Sequence, residues 1–103
     1  MFQMPFINQL IVTFPTAGTV WKVGQRANVS FEPGQNEEMV SVFFNNDRES
    51  FLGGGSVANG GTFQFTVPQK AVSLTGGFSE LIAVHRINGY LQSVDNVKVR
   101  VIN

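Results

Sequence analysis

The feature that most constrains this chain is a two-residue hydrophobic period that returns along its length. Residues 26–32, RANVSFE, put Ala27, Val29 and Phe31 on one side and Arg26, Asn28, Ser30 and Glu32 on the other. MVSVFF (39–44) does the same with Val40, Val42 and Phe44, and TFQFTV (62–67) with Phe63, Phe65 and Val67. QLIVTF (9–14) aligns Leu10, Val12 and Phe14, and ELIAVHR (80–86) continues the pattern. VKVRVI (97–102) alternates Val97, Val99 and Val101 with Lys98 and Arg100. Successive side chains of an extended strand point to opposite faces. This period, carried by β-branched and aromatic residues, therefore predicts half-buried strands. No segment sustains helical spacing, and PQKAVSLTGG (68–77) allows one short helical turn at most.

The punctuation between these runs agrees. EPGQNEE (32–38), GGGSVANGG (53–61), TGG (75–77) and the Asn88-Gly89 pair divide one strand from the next. Asn88-Gly89 stands between LIAVHRI and YLQSVDNV, where both central residues of a type I′ turn need positive φ. GGGS (53–56) has neither the Lys-Ser/Thr pair nor the following helix of a phosphate cradle, and reads as a flexible connection between strands. About seven strands at this spacing predict an all-β antiparallel β-sandwich, with residues 1–103 as one domain.

Charge and composition remove several function classes. Seven basic and seven acidic residues leave a formal net charge of zero. Nucleic-acid binding relies on surplus Lys and Arg to displace counterions, and a polybasic membrane patch needs the same surplus. The longest uncharged stretch, 1–21, is broken by polar residues, Pro15 and Gly18, so no membrane span is expected. Without cysteine there is no disulfide framework and no thiolate nucleophile. The start, MFQMPFINQ, lacks the basic region and the small-residue cleavage site of a signal peptide. Two readings stay open: a chain made without a leader, or a mature fragment with an added Met.

No catalytic or metal constellation emerges. The single histidine, His85, lies within a strand, and neither Ser79 nor Ser93 sits in a nucleophile elbow. One His without Cys leaves only carboxylates for a metal. Asp47 with Glu49, or Glu37 with Glu38, lacks the spacing of a calcium loop. No enzyme activity, cofactor or metal is expected. Asn28-Val29-Ser30 is a glycosylation sequon, meaningful only in a secretory pathway.

The polar-aromatic group HRINGY (85–90) is the candidate ligand site. At a hairpin tip, Arg86, Asn88 and Tyr90 would offer hydrogen-bond donors beside an amphipathic ring, chemistry that suits a sugar or a protein surface. Ten Phe in a low-charge chain raise a second possibility, a structural protein that self-associates through sheet edges. The adjacent pairs Phe43-Phe44 and Leu81-Ile82 point to opposite faces of their strands, so one member of each faces away from the core and toward a partner.

One further stretch, TFPTAGTVWKVGQ (13–25), holds the only Trp of the chain. Pro15 would end the first strand and Gly18 and Gly24 would allow turns. Trp21 is then expected to fold, largely buried, over the open end of the sandwich. With Phe31 at the end of the next strand and Val67-Pro68 closing a later one, these positions carry a P-x-x-G-x-x-W-x-x-G pattern. The chain thereby resembles the Kre9/Knh1-like N-terminal domain family of fungal cell-wall proteins. The resemblance implies an immunoglobulin- or fibronectin type III-like sandwich and an extracellular, wall-associated setting, against which the missing leader leaves a cytoplasmic or non-classically secreted protein open. It also implies a role with wall β-glucan and no catalytic residues. The expected function is therefore a non-catalytic module that binds a fungal wall polysaccharide or another glycan. The alternative is a homo-oligomeric interaction protein.

Overall fold

The computed structural model describes residues 12–34, 37–49, 51–58 and 60–103. Among these residues, eight strands form two facing sheets: β1 (Val12–Phe14), β2 (Val20–Lys22), β3 (Arg26–Phe31), β4 (Glu38–Phe44), β5 (Gly53–Ser56), β6 (Gly61–Thr66), β7 (Ser79–Ile87) and β8 (Tyr90–Ile102). A three-stranded sheet has the order β1-β3-β6, and a five-stranded sheet the order β2-β8-β7-β4-β5. The only helical element among the described residues is a 3-10 turn at Gln69–Ala71, within the segment where the sequence allows one turn.

The two-residue period explains the core. Ala27, Val29 and Phe31 of β3 face Val40, Val42 and Phe44 of β4, and Leu81, Ala83, Val99 and Val101 complete the layer from β7 and β8. All are buried, and removing that apolar surface from water is the main force holding the sheets together. The outward members of the adjacent pairs need no partner. Phe43 and Ile82 face each other across β4 and β7 on the outer face. Ile82 is buried, and the Arg48 guanidinium sits 6.0 Å above the Phe43 ring.

Four expectations change. Trp21 is buried, but not as a cap over an open end: it lies within β2, which runs parallel to β8 with Trp21 opposite Val101. The sandwich is therefore not wholly antiparallel. GGGS is not a flexible connection. It is the edge strand β5, paired antiparallel with β4 from Met39–Ser56 to Val42–Gly53. Glycine suits this strand because a Cβ on Gly54 would run into the Val40 carbonyl oxygen. In the first strand, Val12 pairs with Phe31 but Phe14 pairs with Ser30, so Thr13 bulges and the inward-outward parity changes. Phe14 is consequently 41% exposed rather than inside. Leu10 lies outside the described residues. YLQSVDNV and VKVRVI, which share Val97, run together as one thirteen-residue strand, β8.

The β7–β8 hairpin closes as its turn residues demand. Asn88 (φ 51°) and Gly89 (φ 84°) supply the two positive angles, and Ile87 pairs with Tyr90. His85 pairs with Ser93 but Arg86 pairs with Leu91, which leaves Gln92 as an unmatched bulge. The hairpin runs to one end of a molecule measuring 50 × 27 × 22 Å.

Candidate functional site

Arg86, Asn88 and Tyr90 are all exposed at this tip, but they do not share a face. Arg86 lies opposite Leu91 and Tyr90 opposite Ile87, so the two side chains leave the ribbon on opposite sides. Tyr90, 75% exposed, turns toward the side of the three-stranded sheet, whereas Arg86 belongs to the outer face. Asn88 is committed to the turn, and its backbone N–H donates to the Glu37 carbonyl at 3.3 Å.

His85 is completely buried. Its Nε2 lies 2.7 Å from Glu38 Oε2, and Ser93 Oγ lies 3.4 Å from Nδ1. A side chain without surface cannot meet a substrate, so this group holds strands together: Glu38 belongs to β4, His85 to β7 and Ser93 to β8. Among the described residues no three His, Cys, Asp or Glu side chains converge in a way that would hold a metal ion. No described helix is long and apolar enough to cross a membrane.

The opposite end of the molecule carries a cleft that period and motif reading missed. Its volume is about 320 Å³, and its walls include Asn45, Asn46, Ser73, Leu74, Phe78 and Glu80. Each group is placed by a definite local cause. Asn45 follows the end of β4, where its N–H donates to the Glu80 carbonyl at 2.9 Å. Its side-chain nitrogen donates to Glu80 Oε1 at 3.2 Å, and its Oδ1 accepts from Arg48 Nε at 3.0 Å and Nη2 at 2.6 Å. This chain of bonds fixes the Asn45 amide and one carboxylate oxygen. The facing loop is equally tied. Ser73 N–H donates to the Val101 carbonyl, Ser73 Oγ accepts from Val101 N–H at 3.0 Å, and Arg100 donates to the Gly77 carbonyl at 2.8 Å. The loop thus presents Leu74 and Phe78 to solvent, with Phe78 54% exposed.

What remains open to a ligand is the Asn46 amide, the second Glu80 oxygen and two apolar side chains. Lys98 stands opposite Glu80 across β7 and β8, and Arg48 bonds the same Asn45 amide as Glu80, so the carboxylate has cationic neighbours. The sequence carried one signal for it: Phe78 follows a Gly-Gly turn and stands outside any alternating run.

No family model matches the chain, and no curated protein matches it. A solved structure does: that of the fibronectin(III)-like modules of Clostridium thermocellum CbhA superposes with a TM-score of 0.58 at 18% identity, over 91% of this chain and 96% of that chain. The fold is fibronectin type III-like. At this identity the similarity is one of fold alone. The wall-protein resemblance thus keeps its fold component, while its fungal component finds no support in these comparisons.

Proposed function

We infer that this protein is a non-catalytic binding module for a glycan, with a fungal wall polysaccharide as the ligand class the sequence resemblance implies. The observation that carries the reading is the cleft beside Phe78. It sets an exposed aromatic face next to an amide and a carboxylate oxygen on immobilised backbone. A sugar has that same division, an apolar ring face edged by hydroxyl groups that donate and accept. Near-neutral surroundings suit an uncharged polysaccharide. Fixing Asn45 and the Phe78 loop in advance reduces the ordering that binding would otherwise require.

The test is a glycan array with the folded protein, followed by titration of the strongest hit with four variants. Phe78→Ala and Asn46→Ala are expected to weaken binding by roughly tenfold or more, in line with loss of a buried contact or a hydrogen bond. Arg86→Ala and Tyr90→Ala are expected to leave it unchanged. Loss on Tyr90→Ala instead would move the site to the hairpin tip, where Asn88 and Tyr90 offer the other polar-aromatic surface. An array without any hit sinks the glycan reading.

A further inference from the structure

We propose that the free edge of β8 around Val94 is a pairing surface for the same edge of a second copy of this chain, antiparallel and two-fold, with Asp95 restraining the association. The proposal is independent of the glycan reading and of the cleft.

The backbone defines the edge. Arg100 N–H donates to the Thr19 carbonyl and the Lys98 carbonyl accepts from Gly18 N–H, both at 2.8 Å, on the side of β8 away from β7. Alternate residues of a strand aim their polar groups to the same side, so Asn96 and Val94 face that way too. β2 pairs only with Arg100–Ile102. Among the described residues, no strand covers β8 on this side from Tyr90 to Val97. Edges are commonly blunted by Lys, Pro or shortness. Residues 90–97 contain neither Lys nor Pro, and Leu91 and Val94 leave exposed apolar surface beside the edge. Next to Asn96 and Lys98 lies a groove of about 400 Å³ walled by Val12, Pro15 and Ala17.

The side chains select the partner. In a two-fold pairing centred on Val94, the two Val94 residues exchange both backbone bonds and their exposed side chains meet. Asp95 then faces Ser93, and Gln92 faces Asn96. Centring later along the strand fails for physical reasons. A centre on Asp95 opposes two carboxylates directly. A centre on Asn96 requires the Lys98 carbonyl, which already accepts from Gly18. From Val94 toward β2, the edge therefore complements itself only in the register centred on Val94.

Asp95 competes with that pairing. Its Oδ1 accepts from the neighbouring Asn96 N–H at 2.8 Å. This is the donor that the Gln92 carbonyl of the second copy would need. Association must break a hydrogen bond to a carboxylate, so Asp95 holds the wild-type dimer weak.

Sedimentation velocity from low micromolar to millimolar protein tests this. The wild type is expected to dimerise reversibly at the upper end of the range, and Asp95→Ala to shift the midpoint roughly tenfold lower. Val94→Pro is expected to remain monomeric throughout. Its lost N–H points away from β7, so the β7–β8 ladder keeps its bonds. Should that variant not fold, Val94→Lys places two ammonium groups face to face and is expected to abolish the dimer. Three results overturn the proposal. One is a strict monomer for both wild type and Asp95→Ala. Another is a dimer unaffected by either change at Val94. The third is a monomer whose Val94 amide is already protected from hydrogen exchange, meaning that a segment of the same chain occupies the edge.

Discussion

At the scale of single residues, Trp21 shows how burial and position separate. It is 3% exposed, and its indole meets Phe65 at 5.4 Å and Phe44 at 6.3 Å, both edge to face. Such pairs add to the free energy of burying the rings. Trp21→Ala is expected to lower stability by about 3 to 5 kcal/mol, read from urea unfolding followed by far-ultraviolet circular dichroism. A blue-shifted emission in the native wild type is the companion expectation. The burial was legible in the sequence because one large aromatic stood between hydrophobic strand segments. The strand was not, because VWK is only three residues long and its partner β8 lies some eighty positions away. Phe14 fails differently: one extra residue at Thr13 reverses the parity on which the inward assignment rested.

Elements bring out the difference between composition and context. A GGGS run has little intrinsic preference for a strand, since glycine loses the most freedom on ordering. Here β4 imposes extended pairing, and the close approach at Gly54 leaves no volume for a side chain. Gly54→Ala is expected to destabilise by about 1 to 3 kcal/mol through forced backbone displacement. Gly89→Ala strains a turn but meets open space, so it should cost less than Gly54→Ala in the same unfolding assay. Strands β3, β4, β6 and β7 were legible because each alternates over six residues or more and buries one side. Glu38 opens β4 as a buried acid because His85 stands beside it, a pairing across 47 residues that no local pattern announces.

For the whole molecule, the two ends differ in kind. One end is a hairpin whose outermost residues, Asn88 to Leu91, are exposed. The other is a cleft assembled from the β4 end and the 73–80 segment, held by hydrogen bonds. The hairpin was readable from two adjacent residues, whereas the cleft requires knowing which distant loops meet. Native-state amide exchange is expected to find Leu91 near the hairpin tip far less protected than Val42 or Ala83, whose strands lie in the core. Equal protection at both places would contradict this division. The bulge at Gln92 has a consequence for chain length. A two-residue turn requires Ile87 opposite Tyr90, while the body of the sheet requires His85 opposite Ser93, and these requirements differ by one residue. Gln92 absorbs that difference. Deleting it alone would leave each of these pairs, the turn and the orientation of Tyr90 in place, and would turn an interrupted ladder into a continuous one. Shortening this hairpin by one amino acid at that position is therefore a change the fold can accept, whereas removing Val94 would reverse the facing of the strand on one side of the gap.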